Sequence, residues 1–566
     1  MTHSFRPDLS LAAADGGRIA LQRAGQTLAW LATTTRCSPE PSGWRLDLPA
    51  GARVTLWLPA EHRWYGQGEF IHQAYPLDRL QYAVQPLATW DNGPNGFSCI
   101  QDSFWLASCG LGVLVPVLSQ AVRAGMNPVS DEVTGEGWRP MFETGHAVRP
   151  ELAGDARARA LVLEFSTDTT LQLLIADDAP QALALAAVTL GTPRATPPEA
   201  LLAAPVWTTW AKYKTAIDQA TVLAFARAIR EHGYPGSTIE IDDRWQREYG
   251  DNAFDPARFP DPAAMVRELA ALGFAVTLWT TPFFSDTSAN TAEAHEAGHL
   301  VRNAAGAPCR VRWWQGEAAL LDLTQPAARA WWADKLRALQ RETGLAGYKF
   351  DAGESNFVPA DAALREHSDA SVYSQLWAAF GAEHFPYGEV RCGWRGQRNP
   401  ILYRQWDKFT TWGLDNGLAS VLSGALNLGL TGYPFVLPDI IGGNAYGNSV
   451  SAELMVRWTQ ACAPMLAIQF SIPPWELGDE ANAICRRYAQ LHVELLPRRL
   501  AAARQAVASG APVVRPLFWC APADAETYAI ADQYLLGDDL LVAPVLTEGA
   551  RERDVYLPAG RWRAWQ

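Results

Sequence analysis

The chain has 566 residues, of which 48% are hydrophobic and 19% are charged, and this composition excludes a disordered protein. A chain of this length is too long for one compact core, so we expect two to four domains. The formal net charge of −13 disfavours binding to nucleic acids and to anionic membranes, because both attract basic surfaces.

Residues 1–195 consist of short apolar segments, such as ARVTLWLP and ALVLEFS, separated by turns rich in Gly, Pro, Asn and Asp. This pattern predicts an N-terminal β-sandwich. The proline-rich segment GTPRATPPEA, residues 191–200, marks its predicted end.

Residues 196–507 alternate short apolar strands with amphipathic helices. DQATVLAFARAIREHG has apolar residues at helical spacing, with Asp218 as the predicted N-cap and Gly233 as the predicted stop. STIEIDD, FAVTLWTTP and LAGYKFD are predicted strands. This alternation requires a parallel sheet, and its length favours a (β/α)8 TIM barrel over a doubly wound sheet. Strand-like runs in residues 508–566 predict a small C-terminal β-domain.

The eight cysteines are scattered without a CxxC pair, so we expect reduced, mostly buried thiols and no zinc site. The sequence contains no apolar run of about 18 residues and no basic region followed by an apolar one at its start. We therefore expect a cytoplasmic protein that does not bind membranes and uses no metal or other cofactor. A homo-oligomer is compatible with the sequence.

Charged residues close two of the predicted barrel strands: Asp242 and Asp243 end STIEIDD, and Lys349 and Asp351 end LAGYKFD. Barrel enzymes carry their chemistry at these strand ends. Residues two apart share one face of a strand, so Lys349 should lie beside Asp351 and lower the pKa of its carboxyl group. Such an ionised Asp is a candidate nucleophile. The alternative is that Asp351 caps the next helix.

The 24 tryptophans favour a carbohydrate site, because indole faces stack on sugar rings, although core packing accounts for most of them. A nucleophilic Asp in such a barrel suggests glycoside hydrolysis with retention, which needs a second carboxyl group about 5 Å away. Spacing leaves the candidates open: Asp242, Asp243, Asp407, Asp415 and Asp439. Glu354 has the spacing of a capping box with Asp351, which favours a structural role.

The segments PVWTTWAKYK, IEIDDRWQREYGD, KFDAGE, GLTGYPFVLPDIIGG and YLLGDDLLVAPV follow one another along the chain. In these motifs the chain resembles glycoside hydrolase family 31. The resemblance implies a retaining α-glycosidase with a (β/α)8 barrel between β-domains, and Asp351 as its nucleophile. RCGWRGQRNPILYRQWD resembles the family stretch that ends in a W-x-G-D turn, which implies Arg391 as a sugar-binding residue and Asp407 as the acid/base. Asp415, in WGLDN, is the rival acid/base.

The resemblance also implies sugar contacts. Asp242 matches a residue that binds the outer hydroxyls of the cleaved sugar, while Trp279 and Lys349 match pocket-lining residues. Trp314 is a further pocket candidate, with a core role as its equal alternative. We also expect the charge of Asp351 to keep Asp407 protonated.

The sequence departs from the family pattern at two positions where sugar hydroxyls would be bound. Pro438 precedes Asp439 where many members carry His, and a second acid, Asp243, follows Asp242. The motifs most resemble the subgroup of the myogenesis-regulating glycosidase and its bacterial relatives, which implies an exo-acting α-galactosidase acting on a carbohydrate substrate. An added carboxylate could serve an axial O4.

Other functions stay open at this stage. The alternatives are an α-glucosidase, a sulfoquinovosidase and, more remotely, a non-catalytic sugar-binding protein. A sulfoquinovosidase needs a cationic pocket, for which Arg244 and Arg247 are the nearby candidates. Hydrolysis and transglycosylation share one covalent intermediate, so the sequence does not separate them.

Overall fold

The computed structural model describes residues 6–91, 93, 96–116, 122–126, 159–365 and 369–565. They form an N-terminal β-sandwich, an eight-stranded parallel barrel and a three-stranded C-terminal sheet, which confirms the predicted fold class. The predicted domain bounds stay predictions. The described strands that precede the barrel are β1 Leu9–Ala13, β2 Ile19–Arg23, β3 Gln26–Ala32, β4 Cys37–Glu40, β5 Gly43–Leu48, β6 Arg53–Leu58, β7 Trp64–Phe70, β8 Tyr82–Pro86, β9 Phe97–Ala107, β10 Leu111–Leu114, β11 Val122–Met126, β12 Arg159–Phe165 and β13 Thr169–Ile175.

The sandwich consists of two antiparallel sheets with strand orders β1-β2-β3-β6-β12-β11-β8 and β4-β5-β13-β10-β9-β7. Its strands form because apolar side chains alternate with polar ones. In β6, Val54, Leu56 and Leu58 are buried, while Arg53 is exposed. Alternation of this kind lets one face of each sheet pack on the other, so the core lies between the sheets.

The barrel domain follows. Its described strands, in chain order, are β14 Val206–Thr208, β15 Thr238–Ile241, β16 Ala275–Thr280, β17 Phe283–Phe284, β18 Val311–Trp313, β19 Gly316–Leu320, β20 Gly347–Phe350, β21 Gly388–Val390, β22 Leu402–Arg404, β23 Val436–Leu437 and β24 Gln469–Phe470. The parallel sheet has the order β23-β22-β21-β20-β16-β15-β14-β24. A parallel bridge between Ile440 and Gln469 joins its two ends. β17, β18 and β19 form a small separate sheet.

The described helices, in chain order, are α1 Ala179–Leu190, α2 Glu199–Leu202, α3 Trp210–Tyr213, α4 Gln219–Glu231, α5 Pro262–Ala271, α6 Ala289–Glu296, α7 Pro326–Thr343, α8 Ser371–His384, α9 Leu418–Leu430, α10 Ala452–Cys462, α11 Asp479–Glu494 and α12 Leu496–Ser509. As predicted, Asp218 caps α4, accepting a hydrogen bond from the Thr221 N–H at 2.7 Å. Gly233 follows α4 with a φ of 73°, a conformation that glycine adopts without strain.

The C-terminal sheet comprises β25 Val514–Arg515, β26 Tyr534–Leu536 and β27 Leu540–Val542. All eight cysteines are free, and six of them are buried. Within the described ranges, no helix combines the length and apolar character needed to cross a bilayer.

The sandwich packs on the barrel and sends one segment to the carboxyl ends of its strands. The Asn427 side chain on α9 accepts a hydrogen bond from the Gly66 N–H and donates one to the Gly66 carbonyl, each at 2.8 Å. Further along, the Thr89 hydroxyl accepts a hydrogen bond from the Ser355 N–H, and the Asp91 N–H donates to Asn356 Oδ1 at 2.9 Å. These contacts fix Asp91 at the barrel mouth.

Candidate active site

A cavity of about 350 Å³ opens at the carboxyl ends of the barrel strands, where barrel enzymes place their active sites. Its volume is at the small end of the range for small-molecule sites. The predicted site residues that line it are Asp242, Asp243, Trp279, Trp314, Lys349, Asp351, Arg391 and Asp407. The lining residues that the sequence did not suggest are Asp91, Trp210, Lys214, Gln315, Arg404 and Tyr446.

The strands themselves bring these side chains together. Trp279 lies near the end of β16 and Lys349 on β20, while Asp351 and Arg391 directly follow β20 and β21. The four residues of β20 are fully surrounded by protein, because helices cover one side of a parallel barrel and side chains fill the other. At the carboxyl end of this strand, Lys349 and Asp351 line the cavity.

Asp351 contacts two guanidinium groups and one indole. Its Oδ1 lies 3.2 Å from Arg391 Nε and 3.2 Å from Arg404 Nη2, and its Oδ2 accepts a hydrogen bond from Trp279 Nε1 at 2.9 Å. Burial raises the pKa of Asp351, but the charges of Arg391 and Arg404 outweigh burial and lower the pKa below its ordinary value. Asp351 is therefore ionised, and it does not cap a helix.

Lys349 has a different partner from the one predicted. Its Nζ lies 2.9 Å from Asp242 Oδ2, just after β15, and 3.1 Å from Glu240 Oε1 on β15, two strands away in the barrel. A third carboxylate, Glu389 on the adjacent strand β21, lies 3.9 Å away. Burial lowers the pKa of Lys349, but Asp242 and Glu240 raise it overall. The prediction of a direct Lys349–Asp351 pair is therefore corrected, because side chains at strand ends also reach sideways across the sheet. The charge of Lys349 still lowers the pKa of Asp351, as expected.

Asp407 accepts two short hydrogen bonds. Arg404 Nη1 donates to its Oδ1 at 2.7 Å, and the Tyr446 hydroxyl donates to its Oδ2 at 2.7 Å. Burial raises the pKa of Asp407, but Arg404 and then Arg391 outweigh burial and lower the pKa well below its ordinary value. The expectation that Asp351 keeps Asp407 protonated is thus corrected, because two nearby cations exceed the effect of one anion.

Arg404 connects the cavity to the charges beneath it. Besides Asp351 and Asp407, its guanidinium lies 2.9 Å from Asp439 Oδ1 and 3.1 Å from Glu389 Oε1, and only 2% of the residue is exposed. One feature of the sequence could have pointed to Arg404 as a site residue. In RQWD, Arg404 stands three positions before Asp407, where the family turn W-x-G-D carries Trp.

Asp439 and Asp415, both considered for the site, lie outside the cavity lining. Asp439 is fully buried, and its Oδ2 accepts hydrogen bonds from the Lys408 N–H and the Asn444 amide, each at 2.7 Å. Asp439 therefore lies beneath the cavity, where it supports Arg404, and its predicted contact with a sugar stays a prediction. Asp415 Oδ1 lies 2.5 Å from His72 Nδ1, on the partly exposed boundary with the sandwich.

Glu354 was predicted to close a capping box, and the structure corrects this. It precedes a short 3₁₀ turn, Ser355–Phe357, without a side-chain capping bond. Instead, its fully buried carboxylate accepts hydrogen bonds from Arg391 Nε at 2.7 Å and Nη2 at 3.0 Å. Bidentate pairs of this kind fix a guanidinium in orientation, so Glu354 positions Arg391 against Asp351.

Two further lining carboxyl groups bind protons more tightly than usual. Burial and the charge of Asp242 raise the pKa of Asp243 to about 7, although Tyr249 donates a hydrogen bond to it. Burial raises the pKa of Asp91 to about 7 as well, against the opposing charge of Arg391. The cavity thus combines ionised carboxylates with carboxyl groups that titrate near neutral pH.

Tryptophan is divided between cores and cavity, as the composition suggested. The fully buried indoles are Trp64, Trp105, Trp207, Trp245, Trp332, Trp377, Trp394, Trp406 and Trp458. Trp314, in the turn between β18 and β19, is 38% exposed, and the Arg391 guanidinium lies 5.2 Å from its ring centre. Of the two roles considered for Trp314, the structure therefore places it on the cavity wall.

Comparison with known proteins agrees with this architecture. Residues 195–500 match the glycosyl hydrolases family 31 TIM-barrel domain, residues 510–566 the family 31 C-terminal domain, and residues 38–186 the myogenesis-regulating glycosidase N-terminal domain. The chain is 36% identical over 529 residues to the mouse myogenesis-regulating glycosidase, covering 90% of this chain and 71% of the mouse protein.

More distant relatives share the fold. The Escherichia coli sulfoquinovosidase is 31% identical over 329 residues, which is 54% of this chain and 48% of that enzyme. A family 31 sulfoquinovosidase from E. rectale, solved with an aza-sugar inhibitor, superposes with a TM-score of 0.75 at 18% identity, over 97% of this chain and 84% of that one. The chain belongs to glycoside hydrolase family 31, the retaining α-glycosidases.

Proposed function

We propose that the protein is an exo-acting α-galactosidase that cleaves a terminal α-linked galactose with retention, using Asp351 as nucleophile and Asp407 as acid/base. The observation that carries the assignment of the two catalytic residues is that one guanidinium, that of Arg404, binds both carboxylates on the cavity wall. A retaining glycosidase needs two carboxyl groups close to one glycosidic bond. Asp415 is not part of this arrangement.

The first step forms a glycosyl ester. An oxygen of Asp351 bonds to C1 of the sugar while the glycosidic bond breaks, and its electron pair stays on the leaving oxygen, which takes a proton from Asp407. Because Arg391 and Arg404 keep Asp351 ionised, the nucleophile is ready at neutral pH. Asp407 must carry a proton in this step, and Arg404 makes that form scarce, so the rate should increase toward acidic pH.

The second step uses the form of Asp407 that Arg404 favours. Ionised Asp407 takes a proton from water, whose oxygen bonds to C1 as the bond to Asp351 breaks. The two inversions restore the α configuration. A sugar hydroxyl in place of water would give transglycosylation by the same route.

The cavity wall favours a neutral sugar with an extra hydroxyl contact. Asp242 and Asp243 lie side by side, and the Asp243 N–H donates to Asp242 Oδ1 at 2.8 Å. Asp243 is oriented by Tyr249 and by Gln315, whose Nε2 lies 3.3 Å from Asp243 Oδ2. Two adjacent carboxyl groups supply acceptors in more than one direction, which suits an axial O4, and buried acceptors discriminate strongly between hydroxyl positions.

An anionic sulfoquinovoside is less well supported. Arg244 and Arg247, the cations considered for a sulfonate, are absent from the cavity lining. Arg244 Nη2 donates to the Arg247 carbonyl at 2.9 Å, and Arg247 Nη2 lies 3.5 Å from Asp251 Oδ2. Neither guanidinium therefore lines the cavity that contains Asp351.

The test compares 4-nitrophenyl α-galactoside, α-glucoside, α-xyloside and α-sulfoquinovoside by kcat/KM, with the anomer first released identified by NMR. We expect the galactoside to be preferred by at least tenfold, α-galactose to appear first, and Asp351→Ala to abolish turnover. Preference for another glycone would overturn the specificity. Stabilisation by galactose without any turnover would instead indicate a sugar-binding protein.

A further inference from the structure

One part of the cavity wall is not used by the steps described above. It consists of Trp210, at the start of α3, Lys214, just after α3, and Tyr446. Trp210 Nε1 donates to the Tyr446 hydroxyl at 3.0 Å, and this hydroxyl in turn donates to Asp407 Oδ2 at 2.7 Å. The three residues therefore border Asp407 and not the Asp242–Asp243 wall.

Their position relates them to the leaving group. In the proposed first step, Asp407 gives its proton to the oxygen that departs with the leaving group. Whatever is attached to that oxygen must lie on the Asp407 side of the cavity. Trp210, Lys214 and Tyr446 are each only partly buried, so their free surfaces face that space.

Lys214 differs from the other cations of the cavity. Lys349, Arg391 and Arg404 each form ion pairs with carboxylates, whereas Lys214 forms no ion pair with any residue in the described part of the chain. Its Nζ donates to the Asn444 carbonyl and lies 4.8 Å from the Trp210 ring centre and 4.6 Å from that of Tyr446. An ammonium has three N–H donors, so Lys214 can still donate to a ligand.

The backbone holds Lys214 in this place at a cost. Its φ is 49° and its ψ is −130°, a strained combination that residues with a Cβ rarely adopt. The turn directs the side chain back between the Trp210 and Tyr446 rings, where cation–π attraction holds it.

We propose that Trp210, Lys214 and Tyr446 form the subsite for the leaving group and that this group is a neutral sugar, an inference that rests on the proposed function. The sugar ring would pack on the Trp210 indole, and its hydroxyls would accept hydrogen bonds from Lys214. A purely apolar leaving group would leave the ammonium without an acceptor. An anionic one would approach Asp407 and Asp242, whose charges act on Lys214.

The experiment compares three donors with and without the subsite cation. The donors are an α-galactosyl disaccharide with a neutral second sugar, octyl α-galactoside, and α-galactosyl fluoride, whose leaving group is too small to fill the subsite. For Lys214→Met we expect the ratio of kcat/KM on the disaccharide to that on the fluoride to fall at least tenfold, and Lys214→Arg to restore most of it. For Lys214→Met, kcat/KM should fall less on the octyl donor than on the disaccharide.

The matched control is Lys212→Met, two residues earlier, on α3. Lys212 forms an ion pair with Glu476 on the surface and is absent from the cavity lining, so its variant should keep the wild-type ratio. An equal loss on disaccharide and fluoride in Lys214→Met would overturn the subsite, and an equal loss on the octyl donor would overturn its sugar specificity. Failure of the wild type to cleave α-galactosyl fluoride would overturn the proposed galactosidase itself.

Discussion

Arg404 Nη1 lies 2.7 Å from Asp407 Oδ1, and the same guanidinium reaches Asp351 with its other terminal nitrogen at 3.2 Å. A single buried cation thus contacts both carboxylates that the proposed reaction requires. It fixes their relative position and favours the charged form of each. The charged form is the one that the nucleophile Asp351 needs for attack, whereas the acid/base Asp407 needs its charged form only in the second step.

Replacement of Arg404 should therefore move the pH profile. In Arg404→Gln the pKa values of Asp407 and Asp351 should rise, because the cation that lowers them is removed. Both limbs of the kcat/KM profile should shift to higher pH, with at least a tenfold loss at the optimum. Arg404→Lys, which keeps the charge, should shift less. Profiles of both variants on 4-nitrophenyl α-galactoside test this, and an unshifted Arg404→Gln profile would contradict it.

Asp407 and Asp415 are distinguished by their alanine variants. General acid catalysis contributes about 10²–10⁴-fold, so Asp407→Ala should lose that much on a galactosyl disaccharide and much less on α-galactosyl fluoride, which needs no protonation. Added azide should speed the Asp407→Ala enzyme by replacing water in the second step. Asp415→Ala is the matched control and should stay close to wild type on both donors. The opposite pattern would transfer the acid/base role to Asp415.

Asp243→Asn should change the pH dependence of stability. The folded state holds the Asp243 proton more tightly than the unfolded state, because its pKa is raised from 3.8 to about 7. Stability contributed by this group therefore falls as pH rises through that interval. Asn does not titrate. The free energy of unfolding of the variant should therefore rise relative to that of the wild type by up to a few kcal/mol at pH 8 and by little at pH 4, since one pKa unit equals about 1.4 kcal/mol.

Thermal unfolding of wild type and Asp243→Asn between pH 4 and pH 8 measures this difference. The Tyr249 hydroxyl, which now donates to Asp243, can rotate to accept from the Asn amide, so the hydrogen bond need not be lost. A melting-temperature difference that is independent of pH would show that Asp243 does not titrate in this interval.

Glu354→Gln tests the positioning of Arg391. The change removes one charge from a fully buried bidentate pair, and breaking such a pair typically costs about 3–5 kcal/mol. We expect a lower melting temperature and at least a tenfold lower kcat/KM, with Glu354→Asp retaining more activity than Glu354→Gln. The exposed Glu342 on α7 provides the control, because Glu342→Gln should alter neither quantity.

The elements of the fold follow from local sequence patterns. Alternating residues such as Val54, Leu56 and Leu58 predict sandwich strands, and helical periodicity with Asp218 as cap predicts α4. Strand–helix alternation then requires a parallel sheet. The ends of those strands could also be identified, so Asp242 and Asp351 were expected near one another, and the resemblance to the family added Arg391.

Contacts across the barrel were not predictable in this way. The sequence suggested Lys349 as the partner of Asp351 and Glu354 as a capping residue, because both interpretations used only neighbours along the chain. In the structure, Lys349 turns to Asp242 and Glu354 turns to Arg391, 37 positions away. Burial strengthens attraction between charges, so a buried cation takes the carboxylates that are nearest in space.

The spacing of residue types along the chain is enough to predict the barrel and the sandwich, and its motifs are enough to show the resemblance to the family. Which charges share the cavity depends instead on how the chain folds. In the folded chain, Arg404 lies between Asp351 and Asp407. Asp439 lies beneath the cavity, and Asp91, from the sandwich, lines it. The physical reason is that pKa values and hydrogen bonds depend on distances of a few ångströms, which chain folding sets and residue spacing does not.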